Sequence, residues 1–428
     1  MKTVQQIMAE TNALDNIKLM KMRMEWPYER KVKHAEKVAR AFWERNTEEG
    51  RNLHVSVGGL DSITLHYFLQ EIGVLVPCIS CSTLEQKGVQ KVHRRIREEM
   101  EKEYAEWEHD HGALTQAEID AIPDLARRDA EQKLLEGIPP KPVMHFLRPL
   151  KPKVQVIREF GWPVLSKEIA GKIALLQNPT DDNATVRHAI ITGETGEYGG
   201  WQTESRMQLS KRWLSMFGGA DAEGVAMGYK AAPFKVSDRC CYYLKEKPCD
   251  DWAKAHNSVP YLGLMASEGG RRQKSLMMHG CNYWGKSTIR SAPFAIFSRQ
   301  DLLQLALDLK VPVPVEYGEI VRGPGGVLRT TLAQRTGCTM CGFGIHMEKR
   351  PNRFDWLRDQ NPREWDFWMN HVCQDVDGNW YGWGRVLDYI GVEWKNAPGQ
   401  VLGQISMETL MDEWGESGDL SRVSRKQN

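Results

Sequence analysis

The stretch Leu53-His54-Val55-Ser56-Val57-Gly58-Gly59-Leu60-Asp61-Ser62 decides how the chain folds. Leu53-His54-Val55 reads as a buried strand and Ile63 to Ile72 carries the apolar periodicity of a helix, so Ser56 to Ser62 must turn the chain between them. Two adjacent glycines let the backbone approach an anion and point successive N–H groups into a concavity. The helix behind them offers its positive N-terminal end. Ser56 and Ser62 add small hydroxyl donors. A carboxylate such as Asp61 makes sense beside phosphates chiefly if it holds a magnesium ion or polarises a water. The spacing lacks the Gly-Lys-Ser/Thr ending of a Walker loop and is not the dinucleotide Gly-x-Gly-x-x-Gly.

Ser56-Val57-Gly58-Gly59-Leu60-Asp61-Ser62 resembles the PP-loop, Ser-x-Gly-Gly-x-Asp-Ser, of the ATP pyrophosphatases and their relatives the sulfonucleotide reductases. The resemblance implies an α/β fold of the adenine nucleotide alpha-hydrolase-like kind, a doubly wound parallel sheet with helical additions. It places an adenine nucleotide on Ser56, Gly58, Gly59, Asp61 and Ser62.

Outward from the loop, Val74 to Ser82 reads as a second buried strand, completing a β-loop-α-β start whose ligand sits beyond the strand C-termini. Residues 1–48 read as an amphipathic helical cap. From Lys87 to about Glu136 dense alternating charge suggests solvent-exposed helices, a helical insertion in a nucleotide-binding domain spanning 49–350. Ser166 is the expected N-cap of a helix reaching Leu176, and 178–200, rich in glycine, reads as a loop. Tyr261 to Ala266 reads as a core strand and Gln300 to Leu309 as a late helix. Residues 351–428 form a helical and aromatic extension with a flexible tail.

Lysine and arginine (57) nearly balance aspartate and glutamate (56), so no global field advertises a polyanion partner. The run Lys141 to Lys172 is locally basic and reads as a solvated face, with a polyanion site as the alternative. No run is apolar enough to span a membrane and the N-terminus lacks a signal-peptide core, which places the protein in the cytoplasm.

In a reducing compartment the nine cysteines suit metal ligation or the core better than disulfides. Cys240-Cys241 and, far downstream, Cys338-Thr339-Met340-Cys341 supply two pairs, a set for zinc or an iron–sulfur cluster. Adjacent cysteines diverge, which is awkward for zinc and reachable for two corners of a 4Fe-4S cube. Cys281 is a further ligand candidate. Cys78, Cys81, Cys249 and Cys373 read as core or surface thiols.

A Cys-Cys pair followed well downstream by Cys-x-x-Cys resembles the 4Fe-4S motif of assimilatory adenylylsulfate reductases. Gly263 to Arg272 resembles the loop with which these proteins hold nucleotide phosphates, and implies roles for Arg271 and Arg272 with Glu268 orienting them, although Met265 stands where the family loop often has an arginine. Ala232-Pro233-Phe234-Lys235, Thr336-Gly337-Cys338 and Gly342-Phe343-Gly344 are most similar to phage and bacterial phosphoadenosine phosphosulfate (PAPS) reductase-like proteins. Two departures stand out. No cysteine follows Cys373, which lacks the Glu-Cys-Gly-x-His context of the reductases' mobile cysteine, and Gly59-Leu60-Asp61-Ser62 follows the pyrophosphatase version of the loop.

The resemblance therefore implies ATP with magnesium at Asp61, attack on the α-phosphorus with pyrophosphate release, and Lys167, Arg271 and Arg272 neutralising phosphate charge. The adenylation would serve sulfur transfer or nucleic-acid modification, with a nucleic-acid acceptor and a sulfur-donor protein as partners. A sulfonucleotide reductase acting through Cys373 or a partner thiol, and a non-catalytic nucleotide-sensing regulator, remain open.

Overall fold

A computed structural model describes residues 4–110, 116–124, 128, 143–218, 232–286 and 288–396; the side chains of 4–13, 104, 106–110 and 271 lie outside that description. The chain divides into two compact units, Met1–Lys153 with Cys241–Thr339, and Val154–Cys240 with Met340–Asn428.

The first unit is built on a mixed α/β plan with a six-stranded, mostly parallel sheet. Its strands are β1 (Asn52–Ser56), β2 (Cys78–Ser80), β3 (Met144–Phe146), β4 (Ser258–Tyr261), β5 (Asn282–Trp284) and β6 (Ile289–Ser291). They lie in the order β3-β2-β1-β4-β6-β5, all pairs parallel except β5 with β6. β1 is central because Leu53, His54 and Val55 are all buried, as a strand covered on both faces requires. β2 is shorter than its apolar run: Val74 and Val76 are buried but precede the paired segment.

Helix Tyr28–Glu48 buries Lys31, Ala35, Val38, Ala39, Phe42 and Asn46, a stripe at helical spacing. The Tyr261 hydroxyl at the end of β4 donates to the Ala39 carbonyl at 2.7 Å, tying this stripe to the sheet. The expected cap is thus part of the first unit's core. In its described part the segment from Lys87 is not exposed throughout but buries one face. Helix Lys87–Asp110 is the connection from β2 toward β3, and Val89, Val92, His93, Ile96 and Met100 are buried along one face. Its charges alternate on the other face, which hid the apolar stripe from a reading of charge alone. Helix Gln116–Asp120 follows; the rest of the expected insertion, 111–115, 125–127 and 129–136, lies outside the described residues, as do 397–428 of the expected tail.

In the second unit the Ser166 hydroxyl accepts from the Ile169 N–H at 3.1 Å and caps helix Lys167–Gln177, as its sequence predicts. Helix Ala184–Thr192 occupies the stretch expected as a loop. Val164–Leu165 pairs in parallel with Gly342–Phe343, and Cys373–Gln374 pairs antiparallel with Trp380–Tyr381. The core of this unit gathers Trp162, Phe217, Trp368 and Trp383, the Trp162 and Trp383 rings meeting edge to face at 4.7 Å. Among the described residues, no helix is long and apolar enough to cross a membrane.

Candidate nucleotide site in the first unit

β1 runs out at Ser56, Val57 is buried, and the chain turns through Gly58 and Gly59 into helix Leu60–Glu71. β1 pairs with β2 on one side and with β4 on the other, so the strand order reverses beside it. That reversal opens a crevice at the carboxyl ends of the strands, the usual ligand position in open α/β sheets.

The loop is internally braced. The Ser62 hydroxyl accepts from the Gly58 N–H at 2.8 Å and donates to the Gly59 carbonyl at 3.0 Å. His93 supports it from helix Lys87–Asp110: Nε2 lies 2.7 Å from the Gly58 carbonyl, and Nδ1 lies 3.0 Å from the Ser82 hydroxyl and 3.4 Å from that of Ser80. A carbonyl can only accept, so Nε2 carries the proton and Nδ1 receives the serine hydroxyls. Burial holds the His93 imidazole below its usual pKa, consistent with this neutral form.

Tyr317 crowds the turn. Its hydroxyl accepts from the Leu60 N–H at 3.1 Å and the Thr336 N–H at 3.3 Å, and lies 2.8 Å from the Thr336 hydroxyl. A Cβ at position 59 would stand 2.6 Å from that phenol oxygen, so glycine is required here by a close neighbour. Gly263, after β4, is required likewise: a Cβ there would meet the Asp61 carbonyl and Ser62 nitrogen at 2.9 Å.

Asp61 sits among charges. Arg299 Nη1 donates to its Oδ1 at 2.6 Å. Burial raises the Asp61 carboxyl above its ordinary range and the Glu268 charge adds to this, while Arg299 and Arg335 oppose it. Glu268, whose side chain is 2% exposed, pairs with Arg272 at 2.7 Å and Arg335 at 3.3 Å. Its other oxygen accepts from the Met265 N–H at 3.3 Å, so Glu268 both closes its own turn and orients two arginines. Glu85, also buried, pairs with Lys245.

The sequence-derived candidates are therefore partly assembled. Gly58, Gly59, Asp61 and Ser62 form the turn with Ser56 at its strand end, and Glu268 and Arg272 join it through the Asp61 charge cluster. The Arg271 side chain lies outside the described residues. Lys167 opens a helix of the second unit. Arg299, Arg335, His93, Tyr317 and Glu85 escaped the sequence reading. One signal was available for Arg299: the Ser298–Asp301 capping box puts this cation in the first turn of helix Arg299–Asp308, where the helix dipole disfavours it unless an anion is near. For His93 the signal was its place between Val89 and Ile96 on the apolar face.

Asp61 and Glu268 offer the oxygen donors that magnesium prefers. Cys241 and Cys338 belong to the first unit, Cys240 and Cys341 to the second. Lys245 hydrogen-bonds Cys338, and Arg353 donates to the Cys341 carbonyl at 3.2 Å. Among the described residues, no group of three or more histidine, cysteine, aspartate or glutamate side chains is arranged to hold a metal ion. Cys281 is packed in the first unit's core with its sulfur 3.9 Å from His34 Nε2, and burial pushes its thiol up to about 11.

The second unit holds a cavity of about 1080 Å³ whose wall includes Arg158, Trp162, Lys235, Cys373, Trp380 and Arg385. Cys373 is buried there, paired in strand with Tyr381, and burial raises its thiol.

Comparison with family models, with curated proteins and with solved structures finds no match to this chain.

Proposed function

We propose that the first unit is a PP-loop nucleotide site of the doubly wound, PAPS reductase-like kind, and that it binds ATP with magnesium and adenylates an acceptor. The observation that carries this is the Ser56–Ser62 turn at the strand-order reversal, with Asp61, Glu268, Arg272, Arg299 and Arg335 converging on one charge cluster. A polyphosphate suits it, because Arg272 and Arg335 are more than half exposed while Glu268 anchors them.

In the proposed reaction an acceptor oxygen attacks the α-phosphorus; the new O–P bond forms as the bond to the β-phosphate oxygen breaks and pyrophosphate leaves. Arg271 and Arg272 remain the candidates for neutralising phosphate charge, now joined by Arg335, the electrostatic work that dominates such transfers; Lys167, in the second unit, is not assigned to this site. Asp61, with Glu268 near it, would hold the magnesium ion, which when bound polarises the phosphates. Cys240, Cys241, Cys338 and Cys341 would hold a 4Fe-4S cluster on motif spacing alone; bound there, it would carry or relay sulfur or electrons. The acceptor and sulfur donor belong to the nucleic-acid-modification or sulfur-transfer classes. Cys373 is a poor reductase nucleophile, being buried with a raised thiol pKa.

Competition binding tests the site: labelled ATP with magnesium, displaced by adenylylsulfate, its 3′-phosphorylated form or adenosine 3′,5′-bisphosphate. Preference for ATP is expected. Preference for a sulfonucleotide would replace adenylation by sulfite release, and no binding of any of them would remove the nucleotide site.

A further inference from the structure

The cavity of the second unit, about 1080 Å³, is lined by aromatic rings and by charges that are not all spent on one another. Its volume reaches the upper end of the ~300–1,000 Å³ typical of small-molecule sites. Trp380 lines it with its ring 51% exposed, an uncommon position for so large an apolar side chain. Arg158 lies over the same ring, its guanidinium carbon 5.8 Å from the ring centre. Trp162 and Tyr381 line the cavity as well, their rings 6.2 Å apart. We propose that this cavity binds a nucleotide, its base stacked on Trp380 and its phosphate held by Arg158 and Lys235, and that the nucleotide arrives as one unit of a single-stranded nucleic acid.

The charges select the ligand. Asp375 is consumed within its own hairpin: Oδ1 accepts from the Asp377 and Asn379 N–H groups at 3.1 and 2.9 Å, and Oδ2 accepts from Arg385 at 2.8 Å. Arg385 in turn lies over the Tyr381 ring at 4.2 Å. Of the charges lining the cavity this leaves Arg158 and Lys235 against Asp377 alone. Arg158 is anchored through Nε, which donates to the Val372 carbonyl at 2.7 Å, so its terminal nitrogens can meet an anion. Arg158 and Lys235 are both exposed, and neither forms an ion pair among the described residues. A half-exposed indole beside two unspent cations suits a base with its phosphate better than a cationic or a wholly apolar ligand.

The walls are preorganised. The Gly378 N–H donates to the Asp375 carbonyl at 3.1 Å and the Asp375 N–H to the Asn379 carbonyl at 3.0 Å, closing the turn that presents Trp380. The Trp162 N–H donates to the Lys235 carbonyl at 2.8 Å, and at Gly161, with φ +117, a Cβ would stand 2.5 Å from the Lys235 carbonyl carbon. The backbone that carries Lys235 is therefore packed directly on Gly161. A strand is favoured over a free nucleotide because the groups assigned to base and phosphate are exposed and Val376, at the hairpin tip, is fully so. Neighbouring nucleotides then have room to run on past the bound unit, as on the stacking platforms and cationic tracks of single-strand binders. The inference concerns the second unit by itself and does not depend on ATP binding in the first.

The test is fluorescence anisotropy of a labelled oligothymidylate with the full-length protein in the absence of ATP, with competition by unlabelled oligothymidylate, thymidine monophosphate, duplex DNA and heparin. The expected result is binding that the unlabelled single strand displaces far better than duplex or heparin does. Trp380→Ala should weaken it about tenfold, the loss of one stacked base, and Trp380→Phe should restore most of that. Lys235→Ala should weaken it and flatten the slope of log affinity against log salt by about 0.7, one phosphate contact. Trp380 and Lys235 are exposed, so neither variant opens the core. Thymidine monophosphate displacing as well as the oligonucleotide, with that binding lost in Trp380→Ala, would keep base and phosphate in this cavity and overturn the strand. No binding of either thymidine ligand, equal displacement by duplex or heparin, or unchanged affinity in Trp380→Ala would overturn the site. With thymidine in place of adenine and no ATP present, failure here leaves the nucleotide site of the first unit standing, and failure of ATP to bind there leaves this result intact.

Discussion

Arg299 Nη1 lies 2.6 Å from Asp61 Oδ1, and these side chains are only 26% and 23% exposed. The pair joins the first turn of the loop helix to the first turn of helix Arg299–Asp308, 238 residues apart in sequence. Arg299 also donates to the Gln334 carbonyl at 2.9 Å, so one guanidinium fixes the carboxylate and the chain leading to Thr336.

Removing one partner leaves the other largely covered and unpaired. Arg299→Leu is expected to destabilise the first unit by about 1–3 kcal/mol. Asp61→Asn relieves the stranded charge, so the double variant should lose less than the sum of the two. Urea denaturation of the four proteins measures this; strictly additive losses would show that the pair carries no coupling.

The clash at Gly59 gives a second cycle. Gly59 has φ −82, so an added methyl meets steric rather than backbone strain, and the Tyr317 hydroxyl is the atom in its way at 2.6 Å. Gly59→Ala is expected to cost about 1–3 kcal/mol. In a Tyr317→Phe background the obstructing oxygen is gone and the cost of the alanine should fall by more than half, read from denaturation midpoints. An equal cost in both backgrounds would place the obstruction elsewhere.

How far the sequence reveals this site follows from the range of each interaction. The strand, Gly-Gly turn and helix were legible because β propensity, glycine and apolar periodicity act within a few residues. The Ser166 cap was legible for the same reason. Arg299, Arg335, Tyr317 and His93 act on the loop from distant segments, and only the fold brings them there. Helix Lys87–Asp110 was misread as exposed because its charges outnumber the residues of its buried face.

Buried histidines set an acid limit on stability. His54 and His66 are held down to about 4 by burial. Unfolded, each takes its proton near pH ~6.5, so between about 6.5 and 4 the unfolded state binds more protons. Stability should therefore be full above about pH 7 and fall as pH drops through this window, with a slope approaching ~1.4 kcal/mol per pH unit per histidine. Among the described residues His66 Nε2 has no hydrogen-bond partner, which makes His66→Leu the cleaner probe. Its denaturation midpoint should drop less between pH 7 and 5 than that of the wild type; parallel pH profiles would mean His66 is protonated in the folded protein.

Arg272 and Arg335 separate ligand chemistry from folding. Their side chains are 54% and 59% exposed, and such ion pairs contribute only about 0–1 kcal/mol to stability. Arg335→Ala should leave the denaturation midpoint nearly unchanged while weakening ATP binding roughly tenfold or more, the loss of one charge-assisted contact of about 1.5–3 kcal/mol. The same affinity in wild type and variant would take Arg335 out of the site.

The cysteine set has a composition test that needs no substrate. If Cys240, Cys241, Cys338 and Cys341 hold a 4Fe-4S cluster, anaerobically purified protein contains iron and acid-labile sulfide, and Cys338→Ala with Cys341→Ala removes both, because a cluster deprived of two thiolates loses its anchorage. Cys249→Ser serves as the control, since Cys249 lies outside the proposed ligand set. It should retain the full iron and sulfide content. Zinc in place of iron, lost on the same double substitution, would keep the ligand set and change the metal; undiminished iron in the double variant would remove these cysteines as ligands.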